Sequence, residues 1–191
     1  LYEEELLDTT PAHKIPALLE ELGKHGPNRL LALDAAVGPS ARRAKVSEAS
    51  AYHVLKIKLG TKQDQDIISA VRKATDKPLR VDANEGWRDR EEALRMIDWL
   101  AVRGVELIEQ PMPAGQLDNI AWLRERSPLP LIADEDVCAI DGIDRLAGVY
   151  DGINVKLMKA GGAGPAAAML EKARTHGLKT MLGCRIEASI G

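Results

Sequence analysis

Short apolar runs alternate with amphipathic stretches from Val54 onward. The runs cover residues 54–59, 79–83, 105–108, 129–133, 153–158 and 180–183, and their starts lie 25, 26, 24, 24 and 27 residues apart. Each run is short. Most are rich in β-branched residues and follow a Gly or Pro, as buried parallel strands do. The intervening stretches predict helices. Residues 64–74 carry Ile67, Ile68 and Val71 at helical spacing, and residues 91–102 carry Ala93, Leu94, Ile97 and Leu100. A helix over 116–126 stops before Pro128, and one over 166–176 stops at Gly177, a candidate C-cap. One strand and one helix in each 25 or so residues is the βα unit. Six in succession favour a (β/α) barrel, although an open doubly wound sheet shares the local pattern.

The first third differs. Residues 1–25 are helical in composition, with breaks at Pro11 and Pro16, and residues 30–37 form a second apolar stretch that also reads as helix. Gly38-Pro39-Ser40 interrupts it, and no strand of the repeating kind is expected before Val54.

Charged residues break the apolar pattern at strand ends. In Leu55-Lys56-Ile57-Lys58-Leu59 the two lysines sit at i and i+2 and so share one face of a strand, while the leucines and isoleucine face the helices. A lone Lys-x-Lys more often marks an edge strand with solvated lysines. Asp82, Glu109 and Asp134 each end a run, 27 and 25 residues apart. Singly, each is better explained as a cap or loop carboxylate. As a set they occupy one place in three successive units, and parallel barrel strands converge at their C-terminal ends. Three converging carboxylates repel strongly unless a cation sits between them, and an all-oxygen set suits a hard ion such as Mg²⁺. Lys156, 22 residues after Asp134, shares a face with Asn154 and is expected opposite Lys58. Its pKa is expected to be depressed by burial, a nearby cation and another ammonium, as a lysine general base requires.

Composition narrows the classes. The 191-residue chain is 45% hydrophobic and 29% charged with a net charge of -3, and its acidic and basic residues are mixed. That fits one main globular domain. There is no basic stripe for nucleic acid, no polybasic patch for a membrane surface, and no apolar run near the roughly 18 residues a membrane span requires. No signal peptide opens the chain, so a cytoplasmic location is the default expectation. Two cysteines, Cys138 and Cys184, form neither a disulfide framework nor a zinc motif.

The motifs Lys56-Ile57-Lys58, Val81-Asp82-Ala83-Asn84, Glu109-Gln110-Pro111, Ala133-Asp134-Glu135 and Asn154-Val155-Lys156, with Gly161-Gly162, resemble the muconate-lactonizing subgroup of the enolase superfamily. The resemblance runs from about Ala41 to Gly191. Within the subgroup, Asp82-Ala83-Asn84-Glu85-Gly86-Trp87, Asn154-Val155-Lys156-Leu157-Met158-Lys159 and Gly183-Cys184-Arg185-Ile186-Glu187 are most similar to dipeptide epimerases of the L-Ala-D/L-Glu kind. The resemblance implies an enolase-type modified (β/α) barrel over residues 41–191, preceded at 1–37 by capping-domain helices and a lead-in helix. It implies that Asp82, Glu109 and Asp134 hold one Mg²⁺, that Lys58 and Lys156 are the acid/base pair, and that Lys56 assists Lys58 and touches the substrate carboxylate. Lys159, at the start of a Gly-rich loop, is the rival second base. The implied reaction inverts an α-carbon of a dipeptide through an enediolate. A cycloisomerase or o-succinylbenzoate synthase would use the same parts. A non-catalytic descendant is the reading of another class, and the presence of all three carboxylates and all three lysines argues against it.

Arg185 is a candidate for binding an anionic group of the substrate, or a structural partner of Glu187. Asp136 stands where the family commonly has Ser. Trp87 reads as packing. His13, His25, His53 and His176 are given no role. Six units are visible where the family has eight, and acidic residues that bind the substrate ammonium belong to the family's eighth strand. A longer parent chain is therefore expected, with segments missing before Leu1, near residues 37–41 and after Gly191. A homo-oligomer is expected by analogy alone.

Overall fold

The computed structural model describes residues 5–6, 30–33 and 53–183. Six parallel strands form the body: β3 (Val54–Lys58), β4 (Leu79–Asp82), β5 (Val105–Glu109), β6 (Leu131–Ala133), β7 (Gly152–Lys156) and β8 (Lys179–Gly183). Two further strands, β1 (Glu5–Leu6) and β2 (Leu30–Leu33), complete an eight-stranded sheet in the order β1-β8-β7-β6-β5-β4-β3-β2. The parallel strands curl into a half-barrel. The helices are α1 (Asp64–Arg72), α2 (Arg90–Ala101), α3 (Leu117–Arg124), α4 (Leu157–Ala160) and α5 (Ala163–Thr175), with a 3-10 helix over Ile140–Arg145 between β6 and β7. Among the described residues no helix is long and apolar enough to cross a membrane.

The strand periodicity was legible, but three readings need correction. Leu30–Leu33 is a strand and not part of a helix: it pairs in parallel with β3, Leu30 opposite Val54 and Leu33 opposite Ile57. Helix propensity in Leu-Leu-Ala-Leu gives way to pairing with an adjacent strand. Glu5–Leu6, inside the segment read as helical, pairs antiparallel with β8; the rest of that segment lies outside the described residues. The apolar run at 153–158 is not one strand either. The strand ends at Lys156, and Leu157–Ala160 turns into α4, which closes at Gly161 with φ 88°. Lys159 therefore sits on a helical turn and not in a loop.

The two faces of the sheet differ. Leu55, Ile57, Leu79, Val81, Ile108, Leu131, Ala133, Ile153 and Val155 pack with helix residues such as Ile68, Ile97, Leu123 and Leu170 in one large core. Leu107, Ile132 and Met181 form a separate small cluster. The register makes these three the opposite face: Glu109 is opposite Ile132, and Met181 is opposite Asn154. Alternation then puts Lys56, Lys58, Asp82, Glu109, Asn154 and Lys156 on that inner face.

Ladder hydrogen bonds carry this order to the C-terminal rim. Leu59 N donates to Asp82 O (2.7 Å), Ala83 N to Glu109 O (2.9 Å) and Gln110 N to Ile132 O (2.9 Å). At the rim, the loop after β3 touches the loop after β4. A Cβ on Gly60, whose φ is 95°, would lie 2.2 Å from Ala83 O, and one on Gly86 would lie 2.2 Å from Gly60 Cα. Only glycines allow the two backbones so close. Asp64, buried at the start of α1, ties them together: its carboxylate accepts from Gly60 N (3.0 Å), Thr61 N (2.8 Å), Thr61 Oγ1 (3.0 Å) and Trp87 Nε1 (2.9 Å). Trp87 is thus core packing with one polar tie.

Candidate functional site

Lys58, Asp82 and Glu109 are the last residues of β3, β4 and β5, and they are register partners: Lys58 opposite Asp82, Asp82 opposite Glu109. Asp134 follows β6 directly, and Lys156 ends β7. Asp82, Glu109 and Asp134 are 1%, 0% and 1% exposed. One carboxylate oxygen from each falls within 4.8 Å of the other two. Such a set is costly to bury without positive charge inside it.

The chain's own ammonium groups supply that charge. Lys56 Nζ lies 2.7 Å from Glu109 Oε2 and 3.2 Å from Asp82 Oδ2. At 4% exposure it is no solvated edge lysine. Lys58 is more open; it lies 3.6 Å from Asp82 Oδ2 and donates to Asn84 Oδ1 at 3.3 Å. On the far side Lys156 Nζ donates to Asp134 Oδ2 (2.5 Å), while Lys159 Nζ donates to Asp134 Oδ1 (2.6 Å) and to its carbonyl (2.9 Å). Asn154 Nδ2 donates to Glu109 Oε1 at 2.9 Å. In strand order, Lys56 and Lys58 stand at one end of the carboxylate row and Lys156 and Lys159 at the other.

The ammonium groups and carboxylates of the site shift one another's titration. Burial pushes the Lys156 amine down, but the Asp134 carboxylate, by charge and hydrogen bond, outweighs it and leaves the pKa above the ordinary lysine value. Burial likewise pushes Asp134 up, and Lys156 and Lys159 more than offset it, holding the carboxyl low. The depression expected beside a cation is not what the Asp134 carboxylate alone produces. Burial pushes Glu135 up, aided by the Asp134 and Asp82 charges.

Residues to which the sequence reading gave no role hold the rim in place. Gln110, fully buried with φ 36°, follows Glu109 directly. Its side-chain oxygen accepts from Asp134 N (3.0 Å) and Asp136 N (3.3 Å), and its Nε2 lies 2.9 Å from Asp136 Oδ2. Asp136 also accepts from Tyr150 OH (2.7 Å) and Gly115 N (2.7 Å), so its buried carboxylate has a structural part. These partners lie 14 to 40 residues apart, beyond the reach of any local pattern. The signal available in the sequence was a polar residue wedged between a strand-end glutamate and Pro111. Arg185, with Cys184 and Glu187, lies outside the described residues, as do His13 and His25. His53 is exposed, and His176 pairs with Asp144 at 2.9 Å away from the rim.

Oxygen-only donors, nearly complete burial and convergence within 4.8 Å fit a hard divalent cation.

Comparison with known proteins agrees with this geometry. Residues 39–191 match the family described as enolase C-terminal domain-like. An L-Ala-D/L-Glu epimerase of Bacteroides thetaiotaomicron is 46% identical over 152 residues, covering 79% of this chain and 40% of that protein. An L-Ala-D/L-amino acid epimerase of Pedosphaera parvula is 50% identical over 151 residues, covering 78% and 44%. The crystal structure of a dipeptide epimerase from Enterococcus faecalis, complexed with Mg and the dipeptide L-Leu-L-Tyr, superposes with a TM-score of 0.77 at 31% identity, covering 84% of this chain and 47% of that one. The chain spans less than half the length of each of these three.

Proposed function

This chain belongs to the enolase C-terminal domain-like family, and from that premise we propose that it carries the catalytic machinery of a magnesium-dependent dipeptide epimerase. One observation carries the reading: a buried carboxylate triad with inward-facing lysines at both ends of the row. Relatives at 46% and 50% identity are named as epimerases of L-Ala dipeptides, which favours dipeptides over the other substrates of the subgroup.

Asp82, Glu109 and Asp134 would hold the ion. When bound, it supplies positive charge to the substrate carboxylate, onto which the electron pair of the α-carbon spreads after the proton leaves. Lys58 faces the substrate from the β3 side and Lys156 from the β7 side. One removes the α-proton and the other delivers a proton to the opposite face, so the net result is inversion. Lys56, pinned between Asp82 and Glu109, keeps a fixed positive charge beside Lys58 and lies on the side where the substrate carboxylate would sit. Lys156 serves as a base only after its proton and its bond to Asp134 are given up, while Lys159 retains a second hold on Asp134 through the carbonyl. That division supports Lys156 over Lys159 as the second acid/base group.

The test is deuterium uptake from D₂O at the α-carbon, followed by NMR across a library of dipeptides with the intact protein and Mg²⁺. Exchange with inversion supports the reading. No exchange with any dipeptide would remove it.

A further inference from the structure

We propose that Gln110 is a positioning residue that sets the spacing between two of the three ion-binding carboxylates, Glu109 and Asp134, and that Asp136 and Tyr150 lock its carboxamide in one orientation. The inference rests on the metal-binding reading above and adds residues that touch neither ion nor substrate.

Three features single Gln110 out. Its backbone is fixed on both sides, because its N–H donates to Ile132 O (2.9 Å) and its carbonyl accepts from Glu85 N (3.0 Å). Its φ of 36°, an uncommon region for a side-chain-bearing residue, turns the chain sharply after Glu109. Glu109 can then face the inner rim while the next side chain reaches across to β6. There one oxygen receives the amides of both Asp134 and Asp136. The end of β5 and the turn after β6 are thereby joined through a single planar group.

The orientation of that group is not free. Nε2 faces Asp136 Oδ2 (2.9 Å), Met112 O (3.0 Å) and Tyr150 OH (3.1 Å), three acceptors for two hydrogens. Tyr150 gives its own hydroxyl hydrogen to Asp136 Oδ2, which leaves its oxygen to accept. A flipped carboxamide would set oxygen against the Asp136 carboxylate and nitrogen against two backbone donors. Every group here is buried, so each mismatch would go unsolvated.

Gln110→Glu keeps the shape and the acceptor but turns both donors into an oxygen facing Asp136. Gln110→Glu with Asp136→Asn returns a donor to that contact and lets Tyr150 reverse its hydrogen bond. Both proteins, with the parent, are compared at mildly alkaline pH by Mg²⁺ titration calorimetry and by amide hydrogen exchange without metal. For the single variant we expect Mg²⁺ binding weakened roughly tenfold or more, the range for residues behind metal ligands. We also expect faster exchange at Asp134 and Asp136, with both effects largely reversed in the double variant. A single variant that keeps Mg²⁺ affinity within about twofold and unchanged exchange at Asp134 overturns the proposal. So does a double variant no better than the single. If the parent binds no Mg²⁺, the metal reading falls, and exchange at Asp134 still decides whether Gln110 positions it.

Discussion

Lys56 Nζ and Glu109 Oε2 lie 2.7 Å apart with side chains 5% and 0% exposed. This ion pair is nearly as buried as the apolar core. Its lysine also faces Asp82, so one ammonium serves two carboxylates that cannot reach bulk water. Removing one partner of a buried pair usually costs about 3–5 kcal/mol, because the other charge is left uncompensated. Lys56→Met is expected to destabilise the metal-free protein by an amount of that order, read from urea unfolding in the presence of a chelator. Excess Mg²⁺ should recover more stability in the variant than in the parent, since an ion at the triad returns the missing charge. An equal gain in both proteins would show that Lys56 and the ion do not share this role.

The two lysines at opposite ends of the row are expected to act on opposite faces of the substrate. Lys58→Ala and Lys156→Ala should each lower epimerisation at least about 10²-fold, the lower range for loss of an acid/base group. Each variant should keep deuterium exchange with one epimer only, and the two should retain opposite epimers. NMR of each pure epimer in D₂O checks this. Loss of exchange with the same epimer in both would rule out a two-sided transfer.

The loops after β3 and β4 are held by Asp64 and by the Gly60–Gly86 contact. Trp87→Phe removes one hydrogen bond to a buried carboxylate and should cost about 1.5–3 kcal/mol in chemical unfolding, with Mg²⁺ affinity little changed. Gly60→Ala combines a clash with backbone and a positive φ. It should cost more and should also weaken Lys58-dependent exchange, because Lys58 lies two residues before Gly60. A Gly60→Ala protein as stable as the parent would contradict the packing described.

Tyr150 should resist ionisation. Burial pushes its hydroxyl up, and the Asp136 charge and hydrogen bond push it further. A folded-state pKa above the unfolded one means a contribution to stability that is complete below about pH 10 and is lost as pH rises toward the folded value. In a spectrophotometric titration of the three tyrosines, the Tyr150 phenolate should appear only with unfolding. Tyr150→Phe should remove that step; a Tyr150 that titrates normally in the folded protein would mean its hydroxyl is not enclosed.

What could be read from the chain itself was whatever repeats or alternates locally. The spacing of apolar runs gave β3 to β8, because each strand is buried on the helix side and has little choice of residue. The i, i+2 rule placed Lys56 and Lys58 on one face, and the recurring strand-end carboxylates placed Asp82, Glu109 and Asp134 together. Leu30–Leu33 escaped, because a run of Leu and Ala favours helix until a neighbouring strand offers its edge. The roles of Gln110, Asp136 and Tyr150 escaped for another reason: their contacts exist only once β5, β6 and β7 are side by side. The direction of the Lys156 shift depended on which partner Asp134 takes, and no local pattern contains that.

The small cluster of Leu107, Ile132 and Met181 is all that the inner face contributes to the described apolar cores, while the helix side holds the rest. Folding and chemistry thus draw on different surfaces of the same strands. Inner-face positions outside the buried ion pairs are expected to tolerate substitution with little effect on the apolar packing of the helix side. In evolutionary terms the scaffold is modular at the level of alternate residues, and new specificities become accessible without first finding a new fold.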